Sequence, residues 1–150
     1  MTKDVLVKIS GMQFDVQDEA IELTVPGNYY MKNNKHYVLF EEQPEDNGPV
    51  TKNIVKFDNT FFEIMKKGGN NSYMRFDKNK KNSTVYQTLV GPIQVGVLTH
   101  EFLIEEGEQE IAVKVKYALD INYKFVSECE VDFKVQARSE VVGVKEECEE

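Results

Sequence analysis

A chain of 150 residues, 41% hydrophobic and 29% charged, has the size and composition of one soluble globular domain. Its formal charge of −8 argues against a nucleic-acid partner, because phosphates are held by clustered Lys and Arg, and the one cluster here (Lys78, Lys80, Lys81) sits in an Asn/Lys turn. No run approaches the ~20 apolar residues that span a bilayer, Met1 to Lys8 lacks the apolar core of a signal peptide, and Cys129 and Cys148 suggest no disulfide framework. The expectation is a cytoplasmic protein with no membrane partner.

Taken in chain order, Asp4 to Phe14 reads as a first strand carrying a glycine at Gly11. Glu19 to Met31 follows, broken at Pro26-Gly27 because proline has no N–H to give a ladder. Asn33-Asn34-Lys35 turns the chain into a strand from His36 to Glu42. Asn53 to Phe57 pairs with Phe61 to Lys66 through Asp58-Asn59-Thr60. Gly68-Gly69-Asn70-Asn71 then offers the residues that tolerate positive φ in a hairpin turn before Ser72 to Asp77. Thr84 to Val90 joins through Gly91-Pro92 to a long strand, Pro92 to Glu105, in which Gly96 marks a bulge or bend.

The last two strands carry the strongest pattern. Ile111, Val113, Val115, Tyr117, Leu119 and Ile121 alternate with Ala112, Lys114, Lys116, Ala118 and Asp120. Tyr123, Phe125, Ser127, Cys129, Val131, Phe133 and Val135 alternate with a charged set in the same way. Successive side chains of a strand point to opposite faces, so a period of two builds one apolar face, and a tight connection at Asp120 to Asn122 makes the pair a long hairpin. About ten strands in sequential turns, with no amphipathic helix, predict an all-β fold: an antiparallel up-and-down barrel of about 8–10 strands. The barrel domain covers residues 1–138, and residues 139–150 form an acidic C-terminal tail.

Chemistry is thinly signalled. His36 and His100 belong to no His-x-His, Cys-x-x-Cys or His-Glu-x-x-His spacing, so neither a metal nor a cofactor is expected. No Gly-x-Ser-x-Gly occurs, and Cys129 reads as a buried structural thiol. The catalytic set is therefore empty. The candidate ligand-binding set comprises polar groups on faces that otherwise read as interior: Thr99, Tyr117 and Tyr123, with Tyr86 and Thr88 facing ambiguously. Arg75 alternates with Met74 and Phe76. If it turned inward beside tyrosine hydroxyls it would hold an anionic head group; turned to solvent it has no such role.

The runs Ser72-Tyr73-Met74-Arg75-Phe76-Asp77, Val85-Tyr86-Gln87-Thr88, Gly91-Pro92-Ile93 and Val97-Leu98-Thr99 are similar to the YwiB-like family of bacterial domains of unknown function. So are Tyr37 to Glu42 and Val115 to Ile121. The resemblance spans residues 3 to 138. It implies a calycin-type barrel, shaped like a lipocalin, and no established activity. The family's pattern sets an Arg before the glycine of the middle hairpin, where this chain has Lys66-Lys67-Gly68.

Three functions compete. A barrel lumen that takes a small amphipathic or apolar ligand needs an open cavity of roughly 300 Å3. A protein-interaction scaffold or homodimer with a side-chain-filled barrel is suggested by strands apolar on both faces, such as Val5 to Ile9 and Val97 to Ile104. An enzyme, the least supported, needs a cleft with His100 and a carboxylate in hydrogen-bond reach.

Overall fold

The computed structural model describes residues 3–12, 21–43, 46–68 and 71–138, without the side chains of Met12, Ile21, Glu22, Tyr86, Gln87 and Thr88. Among the described residues every regular element is a strand. They are β1 (Asp4–Met12), β2 (Ile21–Lys32), β3 (Lys35–Glu42), β4 (Thr51–Phe57), β5 (Phe61–Gly68), β6 (Ser72–Asp77), β7 (Lys81–Thr88), β8 (Gly91–Glu106), β9 (Glu110–Ile121) and β10 (Lys124–Ala137). Each pairs antiparallel with its sequence neighbours and β1 pairs with β10, in the order β6-β5-β4-β3-β2-β1-β10-β9-β8-β7. Only β6 and β7 share no ladder, so the up-and-down barrel is nearly closed and has one seam. The predicted tail lies outside the described residues.

Alternation places the core. In β9, Ile111, Val113, Val115, Tyr117 and Leu119 are buried, while the residues between them are half-buried or exposed. Across strands, the inward row Tyr29, Val38, Val55, Ile64 and Met74 follows the ladder register from β2 to β6. The next row, His36, Phe57, Phe62 and Phe76, runs parallel to it. Aromatic rings meet in the middle: Phe62 lies 5.2 Å from Phe133, 5.9 Å from Phe57 and 6.3 Å from Phe76, and Phe76 lies 4.7 Å from Tyr117. Tilted and edge-on contacts of this kind suit the ring quadrupoles and fill the centre of the barrel.

Several local readings are corrected by the structure. Strand β2 runs through Pro26, which pairs with Leu6; on its other side β2 meets β3 only from Asn28 onward, so the missing N–H interrupts no ladder there. Gly27 instead allows close approach, since a Cβ there would lie 2.7 Å from the Leu39 carbonyl oxygen. The irregularity of β8 falls between Thr99 and Glu101, whereas Gly96 stays in register and makes room for the Asp120 carboxylate, which pairs with Lys81 at 2.9 Å. The β7–β8 turn is Leu89-Val90, not Gly91-Pro92, which begin β8. The β9–β10 turn is Asn122-Tyr123, at φ 50° and 71°.

That last shift moves Tyr123. Its parity with the core of β10 holds only if the strand is regular, and a register shift between Phe125 and Ser127 reverses the alternation. Tyr123 is 75% exposed, and Phe125 is exposed with it.

Candidate functional site

Two polar clusters face the interior, at opposite ends of β3. At its first residues, His36 is buried, and its imidazole lies 4.8 Å from Phe57. Its Nδ1 is 2.7 Å from the Tyr29 hydroxyl and its Nε2 is 2.7 Å from Glu106 Oε1. In the tautomer that donates Nε2–H to Glu106, Nδ1 accepts the hydrogen bond of the Tyr29 hydroxyl. Burial, and then the Glu106 charge, hold the Tyr29 phenol above its ordinary value. The hydrogen-bonded chain thus satisfies a buried phenol and imidazole.

At the far end of β3, Glu42 Oε1 accepts from Lys66 Nζ at 2.6 Å and from Asn53 Nδ2 at 2.8 Å. Lys66 and Asn53 are buried. A void of about 10 Å3, the size of one water, lies among Ile9, Leu23, Phe40, Ile64 and this trio. The buried Asn53 Oδ1 has no partner among the described residues, nor has the hydroxyl of Ser72, which stands opposite Lys66 on the same row.

The sequence-predicted residues fall in different places. Thr99 and Tyr117 are buried ladder neighbours on the inner face, and the Thr99 hydroxyl has no partner among the described residues. Arg75 faces outward. It lies over the Phe61 ring at 4.3 Å and binds Asp77 at 2.8 Å and Glu63 at 3.3 Å. The hydrogen bond to Asp77 raises the Arg75 guanidinium above its ordinary value, and the same contact lowers the Asp77 carboxyl. Tyr86 and Thr88 stand in β7 opposite Ile93 and Gly91, and their side chains lie outside the described set. Tyr123 is outside the barrel. Arg75, Tyr117 and Tyr123 therefore do not converge on one lumen site.

His100 does meet a carboxylate, Glu128, at 3.1 Å, but both are exposed on the outer face. Cys129 is half-buried and packs against the core. No group of three or more metal-ligating side chains occurs among the described residues, and no helix there is long and apolar enough to cross a membrane. The interior clusters were readable by parity: His36 shares its face with Val38 and Phe40, Asn53 with Val55 and Phe57, and Lys66 with Ile64 and Phe62. What parity lacked was the partner, since Glu106 reaches His36 from across the barrel.

Larger concavities lie outside. One of about 520 Å3 crosses the outer face from β2 to β8, past Lys8, Lys114, Lys134, Asp132 and Leu103. Another of about 610 Å3 lies over β2, β3 and β4 between Asp4, Pro26, Leu39, Ile54 and Arg138. At the seam a cleft of about 90 Å3 separates Tyr73, Met74 and Arg75 from Asn82, Ser83, Thr84, Val95 and Val97.

Comparison with known proteins agrees with this architecture. The crystal structure of ywiB protein from Bacillus subtilis superposes with a TM-score of 0.66 over 90% of each chain at 22% sequence identity, which shows a shared fold. No curated protein matches the chain. A family model described as a domain of unknown function, DUF1934, matches residues 7–133. The chain belongs to this YwiB-like DUF1934 family of barrel domains.

Proposed function

We propose that this domain is a non-catalytic protein-interaction scaffold, acting through its outer surface with the barrel interior filled by its own side chains. The observation that carries this reading is the ring contact of Phe57, Phe62, Phe76, Tyr117 and Phe133 across the middle of the lumen. Beside it, the inner void at the Glu42 cluster is about 10 Å3, far below the ~300 Å3 that even a small ligand pocket requires. Support also comes from the outside, where Val85, Leu89, Val90, Leu98, Leu103, Tyr123 and Phe125 expose large apolar side chains. A surface this apolar on an acidic protein suits contact with another protein.

The reading is tested by titrating delipidated protein with palmitate and with an anilinonaphthalene dye, followed by native mass spectrometry and fluorescence. No stoichiometric complex is expected. A saturable one-to-one complex that is weakened by Phe62→Trp or Thr99→Leu would place a ligand in the lumen and overturn it.

A further inference from the structure

We propose that the acidic segment after Arg138, residues 139–150, docks back onto the outer groove that crosses the sheet from β2 to β8, with its glutamates on Lys8, Lys134 and Lys114. The contact is intramolecular and does not depend on the scaffold reading.

Alternation builds the groove. Lys8, Lys134 and Lys114 each stand between buried neighbours, on β1, β10 and β9, so all three side chains turn outward. In the ladders Lys8 is directly opposite Lys134, while Lys114 is opposite Asp132 and one diagonal step from Lys134. Like charges that face each other across a ladder repel. Lys134 reaches Glu110 at 3.6 Å and Lys114 reaches Glu130 at 3.9 Å, both exposed pairs, and Lys8 has no acidic partner among the described residues. The carboxylates that line the groove itself, Asp132 and Glu105, are fewer than its lysines. A chain with a net charge of −8 thus keeps a local surplus of positive charge on this face.

Charge and chain length name the occupant. Residues 139–150 hold five glutamates against one lysine, and Glu146, Glu147, Glu149 and Glu150 lie close together among them. Arg138 directly follows β10, and Lys134 lies four residues back along that strand, about 13 Å away. Twelve extended residues reach up to about 40 Å, enough to bring those glutamates back over β10.

The order of chemistry along the segment also matches the surface in its way. From the end of β10, a path over the outer face first meets half-buried Leu6 and its exposed ladder partner Pro26. Lys8 and Lys134 come next, and Lys114 beyond them. The segment likewise offers Val141, Val142 and Val144 before its run of glutamates. The concavity over β2, β3 and β4 is nearer to Arg138, but it sets Asp4 and Glu41 against Lys52 and Arg138, a balance that gives acidic residues no hold. Exposed ion pairs are individually weak. A short tether, however, holds the glutamates over the lysines at an effective concentration of about millimolar, so several pairs acting together populate the docked form.

A nitroxide on Cys148, in a Cys129→Ala chain, tests the contact by paramagnetic broadening of backbone amides. Broadening is expected to be strongest at Lys8 to Ser10, Ala112 to Lys114 and Asp132 to Lys134. It should fall about threefold or more at high salt and in the double variant Lys8→Glu/Lys134→Glu, and return when Glu146→Lys/Glu147→Lys restores opposite charges. Cys129 packs against the core, so a second measurement uses the unsubstituted chain. Carbodiimide cross-linking at low salt should yield amide links from Lys8, Lys114 or Lys134 to glutamates of residues 146–150 in a species of monomer mass. Broadening that is absent, spread evenly over the barrel, centred on the β2–β4 concavity or unmoved by the lysine reversals overturns the inference, as do cross-links that are absent or found only between chains. A lumen complex in the palmitate titration would sink the scaffold reading and leave this contact standing.

Discussion

At the scale of single residues, the interior combines apolar packing with a few polar groups whose pairing decides their cost. Thr99 is the clearest mismatch: its hydroxyl is buried in an apolar row without a hydrogen-bond partner among the described residues. A desolvated, unpaired hydroxyl costs about 1–3 kcal/mol, so Thr99→Val, nearly identical in shape, should raise stability by about 1 kcal/mol in urea denaturation. His36 is the opposite case. Removing the imidazole in His36→Ala strands the Tyr29 hydroxyl and takes away the ring over Phe57, for an expected loss of about 2–4 kcal/mol. Tyr29→Phe should cost only about 1 kcal/mol, and the double variant should fall short of the sum, because both changes break one chain of bonds. The inward placement of both residues was legible from alternation. Their connection to Glu106 was not, because it joins β3 to β8 through space rather than along the chain.

Elements were legible wherever a period of two ran unbroken, and misread where one extra residue or an unusual backbone intervened. The bulge after Phe125 turned Tyr123 outward, and its mark in the sequence is the adjacent apolar pair Phe125-Val126, where the alternation slips by one residue and Val126 packs against the core. Tyr123 itself takes φ 71°, a conformation that a ring-bearing residue adopts at a cost. Tyr123→Gly converts the turn to Asn-Gly, the preferred pair for a two-residue hairpin, and should stabilise the fold by about 0.5–1 kcal/mol, read as a higher melting temperature. Gly11 is the reverse. At φ 83° a Cβ would lie 2.0 Å from the Glu130 carbonyl oxygen, so Gly11→Ala should weaken the β1–β10 ladder and lower the melting temperature sharply.

The seam strand β6 carries its own pH dependence. Asp77 is held below the ordinary carboxylate range, first by its hydrogen bond from Arg75. A carboxyl whose folded value is depressed gives stability that is complete above its unfolded value and is lost as pH falls through the folded one. Between about pH 6 and about pH 3 the wild-type urea midpoint should therefore drop further than that of Asp77→Asn.

The molecule as a whole is organised around rings that meet at its centre. Phe62 touches Phe57, Phe76 and Phe133 and is fully buried, so Phe62→Ala should destabilise by about 3–5 kcal/mol, since no neighbour can collapse into the space without breaking another ring contact. The global architecture was read from the count of strands and turns, and the seam was not, because β6 and β7 are joined by a short turn that looks like every other hairpin in the chain. Their separation follows from how far the sheet must curl before β6 arrives, a property of all ten strands together.

The ladder between β1 and β10 has a further consequence, for the order in which the molecule assembles. It joins Val5 to Ala137, and Arg138 donates its amide to the Asp4 carbonyl, so the contacts that join the two halves of the sheet unite the two most distant stretches of the described chain. During synthesis β1 must wait beside the ribosome for its last neighbour, and folding from the denatured state must close a loop of nearly the whole polypeptide. A circular permutant spliced from residue 138 to residue 3 and opened at Asn79 would keep every ladder and make that closure local. Its refolding should accelerate while the finished barrel stays the same.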